Sequence, residues 1–135
     1  MTAISFYLFE KSPERQVQSA CRLARKLLKT TPKLWWYCPS KELQQTLDDL
    51  LWSFDETSFI THSIDDTTGQ VCISSSLPIE GEWIIFNFSE NIISQTDTFK
   101  HIIEIVENTE ASKIIGRDKF KQYRQLGIEP RTFKL

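Results

Sequence analysis

Glu82-Trp83-Ile84-Ile85-Phe86-Asn87-Phe88 is the stretch of this chain that decides the fold. Its unbroken apolar and aromatic side chains predict a strand that is buried on both faces of a sheet. Similar apolar runs occur earlier in the chain, at residues 4–9, 34–38, 59–60 and 70–73. Strands of this kind, separated by helices, are typical of a largely parallel sheet in an α/β domain.

Three amphipathic patterns predict helices around these strands. The first begins with Ser12 as its cap and Pro13 in its first turn, and it extends to about residue 29. Ser40 caps the second helix. The third is capped by Thr96 or Asp97, and on one face it carries Phe99, Ile102, Ile103 and Val106. Residues 1–135 are therefore predicted to form a single α/β domain with a mostly parallel sheet flanked by helices.

A fourth helix is predicted over residues 110–126, with Gly127 as its stop. The residues of this helix can be placed around its axis at about 100° per residue, counting from Ala111. The face that would suit a core, an arc of roughly 0–120°, then holds Ala111, Ile115, Leu126 and Tyr123. The arc between roughly 180° and 280° holds Phe120, Lys113, Arg124, Arg117 and Lys121. An aromatic ring among cations predicts a ligand that is both anionic and apolar. The sequence leaves the structure of residues 131–135 undecided.

The net charge of −2 conceals a strong division along the chain. Residues 113–135 contain seven Lys or Arg and two Asp or Glu, a net charge of +5, and residues 1–33 have the same composition of charges. Residues 34–112 contain two basic and fourteen acidic residues, a net charge of −12. Such segregation indicates localised docking of an anionic partner. The acidic middle disfavours a protein that coats DNA by itself.

The chain lacks the sequence patterns of nucleotide or metal chemistry. Its four glycines are dispersed, and the turn after the first strand carries Glu10 where a phosphate would lie, which argues against a nucleotide-binding loop. Its histidines, His62 and His101, have no ligand spacing, and His101 falls in the third predicted helix as a surface or packing residue. We therefore expect no catalytic residue, no metal and no cofactor.

The cysteines and the apolar runs bear on the compartment. The chain has three Cys, an odd number without metal-type spacing, and it begins with no basic signal-peptide region. No apolar run approaches the length needed to span a membrane. We expect reduced thiols in a cytoplasmic protein.

Trp52 lies off the apolar stripe of the second predicted helix, about 150° from its centre. A Trp on the polar face of an acidic helix is covered by a loop or is available to a partner. The aromatic Phe59 follows shortly after it. Together they form a plausible anchor for a second protein.

Two runs of this chain resemble signatures of the chi subunit family of bacterial DNA polymerase III. Leu-Asp-Asp-Leu-Leu-Trp-Ser-Phe at residues 47–54, followed by Phe-Ile-Thr-His at 59–62, resembles the family's Leu-Asp…Leu-Trp…Phe-(Ile/Val)-Pro-His run. Residues 117–127 resemble its (Arg/Lys)-(Tyr/Phe)-Lys-x-Tyr-Arg-x-x-Gly ending. Thr61 stands where the family usually has Pro, and Phe120 stands where Tyr is common.

The resemblance implies a Rossmann-like accessory protein of the clamp-loader complex, without nucleotide chemistry. One face would bind the acidic and hydrophobic carboxy-terminal tail of single-stranded-DNA-binding protein, so that DNA is engaged only indirectly. Another face would bind the small psi subunit. By position, the resemblance assigns to the tail pocket Val106, Lys113, Arg117, Phe120, Lys121 and Arg124. It assigns to the psi surface Trp52, Phe59 and His62.

Two alternatives remain open at the level of sequence. A direct nucleic-acid-binding module would use the basic helix faces on phosphates, and its affinity would fall steeply with salt. A small α/β enzyme would reveal itself by a deep pocket lined by an acid or base with a perturbed pKa.

Overall fold

The computed structural model describes residues 3–8, 16–29, 33–53, 62–64, 70–78, 83–93, 99 and 101–134. Seven strands form one sheet within these ranges, and every strand pair is parallel. The strands are β1 (Ala3–Leu8), β2 (Leu34–Tyr37), β3 (His62–Ile64), β4 (Val71–Ser74), β5 (Ile84–Asn87), β6 (His101–Val106) and β7 (Arg131–Lys134). Their order across the sheet is β3-β4-β2-β5-β6-β1-β7.

Three helices accompany the sheet in the described part of the chain: α1 (Gln16–Leu27), α2 (Lys41–Ser53) and α3 (Glu110–Gln125). The predicted α/β fold with a parallel sheet is therefore confirmed. The predicted cap of α2 is also confirmed, because the Ser40 hydroxyl accepts a hydrogen bond from the Leu43 amide at 3.2 Å. The caps predicted at Ser12 and at Thr96 or Asp97, and the strand predicted at residues 59–60, lie outside the described residues.

Two apolar cores lie on opposite faces of the sheet. Alternate residues of β5 separate between them: Ile84 and Phe86 join the core beneath α1 and α2, whereas Ile85 joins the core beneath α3. Trp36 is completely buried in the first core and stacks on Phe86 with ring centroids 5.6 Å apart. All four residues of β5 are buried, as the sequence predicted for this strand.

The third predicted helix is wrong, because residues 101–106 form the strand β6. Its last five residues are buried, with Ile103 on the α1 and α2 face and Ile102 on the α3 face. A strand buried on both faces has no polar alternation, and its continuous apolar run also satisfies a helical spacing. His101, predicted within that helix, is the half-buried first residue of β6, and its Nε2 lies 2.7 Å from Ser5 Oγ.

Residues 131–134, left undecided by the sequence, form β7 at one end of the sheet. β7 pairs in parallel with β1 in a register that places Phe6 opposite Thr132 and Leu8 opposite Lys134. All four β7 residues are exposed. Phe133 stacks on Tyr7 with ring centroids 5.1 Å apart. This pairing brings the carboxy-terminal segment beside α3, where the candidate site lies.

Candidate binding pocket beneath the last helix

The ends of α3 are fixed by local hydrogen bonds. Thr109 is the cap residue, with extended backbone, and its hydroxyl accepts a hydrogen bond from the Ser112 amide at 3.2 Å. The Ser112 hydroxyl in turn accepts from the Glu107 amide at 2.8 Å, which ties the start of the helix to the end of β6. At the other end Gly127 has φ +85°, the left-handed conformation that glycine adopts most readily after a helix. The predicted stop is confirmed.

The rotation of α3 differs from the sequence prediction. Ile115 and Leu126, predicted to face the core, are 37% and 49% exposed, and Ala111 is exposed as well. The residues of α3 that are buried are instead Gly116, Lys119 and Tyr123. The predicted core face is therefore wrong for every member except Tyr123. The buried face is turned toward the predicted basic arc, which brings Phe120 against the sheet.

A buried polar network explains this rotation. Glu104, a carboxylate within the otherwise apolar β6, is 2% exposed. Its Oε1 accepts from Lys119 Nζ at 2.8 Å, and its Oε2 accepts from Tyr123 Oη at 2.7 Å and from Asn87 Nδ2 at 2.7 Å. Lys119 Nζ also donates to the Ser89 carbonyl at 2.6 Å. Burial of the lysine is tolerated because its charge is paired and hydrogen-bonded.

The network perturbs the acids that belong to it. Burial raises the pKa of the Glu104 carboxyl, whereas the Lys119 charge and the hydrogen bonds from Lys119, Tyr123 and Asn87 lower it. Burial, and then the neighbouring Glu104 carboxylate, raise the pKa of the Tyr123 phenol. These shifts arise within a structural ion pair and mark a strong attachment of α3 to the sheet.

Gly116 allows α3 to approach β6 closely. A Cβ atom at this position would lie 2.8 Å from Val106 Cγ2, which is closer than real Cβ contacts. Any side chain larger than hydrogen would therefore displace Val106 or lift the helix from the sheet. The absence of a side chain also leaves space beneath the helix.

That space is a pocket of about 190 Å³ between α3, the ends of β1 and β6, and β7. Its aromatic wall is formed by Phe120 and Phe6, whose rings meet edge to face with centroids 5.5 Å apart. Lys113 and Arg117 supply two cations. The remaining lining residues are Leu8, Val106, Glu107, Gly116 and Thr132.

The structure gathers four of the six predicted tail-pocket residues in this pocket: Val106, Lys113, Arg117 and Phe120. Lys121 and Arg124 do not line it. Both are exposed, and Arg124 Nε lies 3.6 Å from Glu129 Oε2. The pocket described here therefore does not include these two exposed side chains, and their contact with a tail stays a prediction.

Several lining residues were not predictable from the sequence, for identifiable reasons. Phe6 and Leu8 reach the pocket through the pairing of β1 with β6, and Thr132 reaches it through the pairing of β7 with β1. Pairing across a parallel sheet is not visible in sequence spacing. One signal was present: a single Glu inside the run His-Ile-Ile-Glu-Ile-Val required a buried cationic partner, which is Lys119.

The arrangement suits a small ligand with two chemical parts. Phe6, Leu8 and Phe120 offer apolar surface, while Lys113 and Arg117 offer donors for an anion. A guanidinium binds a carboxylate with two parallel hydrogen bonds, which adds direction to the charge attraction. Glu107 at the same pocket disfavours a second anion near the end of β6.

A larger crevice of about 590 Å³ lies on the other side of α3 and is lined in part by Glu104 and Lys119. A perturbed acid in a crevice is the sign that would favour an enzyme. However, both Glu104 oxygens accept hydrogen bonds from Lys119, Tyr123 or Asn87, so the carboxylate already serves the attachment of α3. We assign it a structural role.

The second predicted surface is described only in part. The side chains of Trp52 and Phe59 lie outside the described residues. The His62 side chain is 1% exposed, and its Nε2 lies 3.2 Å from Asp48 Oδ1 on α2. The structure thus places His62 in an internal contact that joins α2 to β3, and its contact with a partner stays a prediction.

Other kinds of site find little support in the described ranges. No group of three or more His, Cys, Asp or Glu side chains there is arranged to hold a metal ion. Cys21, Cys38 and Cys72 are buried cysteines, and burial raises the pKa of Cys21 to about 12, which disfavours a reactive thiolate. None of the described helices has the length and apolar character that crossing a bilayer requires.

Comparison with known proteins identifies relatives over the whole chain. The family model described as DNA polymerase III chi subunit, HolC, matches residues 1–131. The DNA polymerase III subunit chi of Pseudomonas aeruginosa is 28% identical over 139 residues, covering 100% of this chain and 98% of that protein. The subunit chi of Haemophilus influenzae is 26% identical over 133 residues, covering 90% of each.

Among solved structures, the carboxy-terminal domain of Saccharomyces cerevisiae Dbp5 is similar with a TM-score of 0.61. The similarity covers 98% of this chain and 90% of the other, at 14% sequence identity. At that identity the likeness concerns the α/β fold alone.

Proposed function

This chain belongs to the DNA polymerase III chi subunit family, a replication accessory subunit, and from that premise we propose that its α3 pocket binds the carboxy-terminal tail of single-stranded-DNA-binding protein. The tail ends in acidic residues followed by an apolar residue with a free carboxylate. In this proposal the chain links that protein to the clamp loader without catalysing a reaction. DNA is reached through the tail and is not bound directly.

One observation carries the proposal: a single small pocket combines the Phe6 and Phe120 rings with the cations of Lys113 and Arg117. The apolar side chain at the end of the tail packs against the wall that the two rings form. Its terminal carboxylate accepts hydrogen bonds from Arg117 and Lys113. Because the pocket holds about 190 Å³, it accommodates the end of a chain rather than a folded surface.

The test is binding of a tail peptide, measured by calorimetry at low salt. A charge-assisted hydrogen bond contributes roughly 1.5–3 kcal/mol, so Arg117→Glu is expected to weaken binding at least about tenfold. Lys26→Glu is the matched control, since Lys26 is exposed on α1, over the opposite face of the sheet. Phe120→Ala is expected to weaken binding equally at low and high salt, because an apolar contact is not screened.

Absence of peptide binding to the wild-type chain at low salt would contradict the proposed function. Equal losses for Arg117→Glu and Lys26→Glu would show that only the overall charge matters. Competition by bare DNA for the same surface would instead favour the nucleic-acid-binding alternative.

We propose a second docking surface, for the psi subunit, at the end of α2 around Trp52 and Phe59. The support is that α2 directs Leu47 and Leu51 into the core, and that in the helical pattern of the sequence Trp52 lies about 150° from the centre of the apolar stripe. Contact between His62 and Asp48 holds the start of β3 against α2. In this proposal His62 acts by fixing β3 against α2, the helix that carries Trp52 in the sequence.

Trp52→Ala tests this second surface. An exposed anchor is expected to leave the melting temperature nearly unchanged while abolishing capture of the psi subunit from a lysate. A buried Trp would instead cost roughly 3–5 kcal/mol on truncation. A collapse of the melting temperature in this variant, seen by thermal denaturation, would contradict the assignment.

A further inference from the structure

The outer edge of β7 is open in the described part of the sheet. β7 ends the strand order, and its four residues, Arg131, Thr132, Phe133 and Lys134, are all exposed. An edge strand presents backbone N–H and C=O groups that have no partner within the sheet. Such an edge is able to receive an extended peptide as an added strand.

The β7 edge adjoins the α3 pocket. Thr132 lines the pocket directly and is paired with Phe6, which is also a lining residue. Lys134 is paired with Leu8, another lining residue. Because side chains alternate between the faces of a strand, Thr132 and Lys134 lie on the pocket face, and Arg131 and Phe133 lie on the other.

The volume of the pocket forces most of a bound peptide to lie outside it. A volume of about 190 Å³ suits one terminal side chain and its carboxylate. The residues that precede the terminal one must therefore leave the pocket. An acidic segment that leaves the pocket toward the end of β6 would be repelled by Glu107. One that leaves toward β7 would be attracted by Lys134 and Arg131.

We infer that the open edge of β7 receives the acidic segment that precedes the terminal residue, as an eighth strand of the sheet. The inference rests on the proposed function and extends it to the backbone of the ligand. Backbone hydrogen bonds with β7 hold the segment in register, and its carboxylates are attracted by Lys134 and Arg131. Thr132 forms the point at which the added strand enters the pocket.

The experiment uses the wild-type chain and a synthetic peptide with a run of Asp residues and a carboxy-terminal Phe. A series of peptides carries one backbone N-methyl group at each successive Asp, which removes a single donor without changing the charge. Residues of a strand direct their backbone groups alternately to opposite edges, so alternate positions should be sensitive. We expect losses of about tenfold at every second position and little change between them, measured by calorimetry.

A shorter peptide that keeps only the last Asp and the terminal Phe is the companion probe. We expect it to bind the pocket more weakly than the long peptide and to be unaffected by the strand contacts. Uniform tolerance of N-methylation, with equal affinity of the long and short peptides, would overturn the β7 inference and leave the pocket proposal standing. No binding of any peptide would overturn the pocket proposal, and the β7 inference with it.

Discussion

Lys119 shows how one residue sets the geometry of a site that it does not line. Its ammonium group is buried between the Glu104 carboxylate and the Ser89 carbonyl, 2.8 Å and 2.6 Å away. Phe120, its neighbour in sequence, is thereby directed against Phe6, and Arg117 is held at the pocket. The ion pair therefore determines which side chains of α3 face a ligand.

Lys119→Met is expected to destabilise the chain by about 3–5 kcal/mol, because it leaves a buried carboxylate without its cation. The double variant Lys119→Met with Glu104→Gln should recover much of that loss, since neither position then carries a buried charge. Lys121→Met is the matched control on the exposed side of the same helix, with a change within about 0.5 kcal/mol. Denaturant unfolding measures all three. Equal stability of the two Lys→Met variants would contradict the role given to the pair.

Helix α3 was predictable in its bounds but not in its rotation. Charge pattern and the Gly127 stop predicted a helix over residues 110–126, and α3 spans Glu110–Gln125. The hydrophobic pattern alone predicted that Ile115 and Leu126 face the core, because such a pattern treats Lys119 as a surface residue. The partner that makes burial of Lys119 favourable belongs to another element, β6, so local sequence could not reveal it.

The strands show the same division between local and distant information. β5 was predictable because its apolar run is short and flanked by turn residues. β6 was mistaken for a helix, since a strand buried on both faces lacks alternation. β7 has no apolar pattern at all: its four residues are exposed and it is held by pairing with β1. Half of the pocket wall therefore depends on strand order, which sequence spacing does not encode.

Gly116→Ala tests the close contact between α3 and β6. In an exposed helix this substitution stabilises by roughly 1 kcal/mol. Here the new Cβ would meet Val106 at 2.8 Å, so an overpacking cost of about 1–3 kcal/mol is expected to exceed that gain. Displacement of Val106 should also reduce tail-peptide affinity, because Val106 and Gly116 both line the pocket. An increase in stability near 1 kcal/mol with unchanged peptide binding would show that the contact does not constrain the helix.

At the scale of the whole molecule, the positive charge of the carboxy-terminal segment is separated from the acidic middle of the chain. Residues 34–112 carry a net charge of −12, and residues 113–135 carry +5, from seven basic and two acidic residues. The basic segment includes α3 and β7, which meet at the pocket. An acidic tail is attracted to this side and repelled by the body, which favours one docking orientation.

Arg117 and the free carboxylate at the end of a tail peptide are, on this account, direct partners. A double-mutant cycle that combines a substitution of Arg117 with amidation of the peptide tests this most directly. Affinities are measured for the wild type and for Arg117→Glu, each with the free-acid and the amidated peptide. Amidation should weaken binding to the wild type by about tenfold or more and should not weaken binding to the variant, because the contact is already absent there and the introduced carboxylate repels the free acid. Equal losses on amidation in both proteins would contradict the claim.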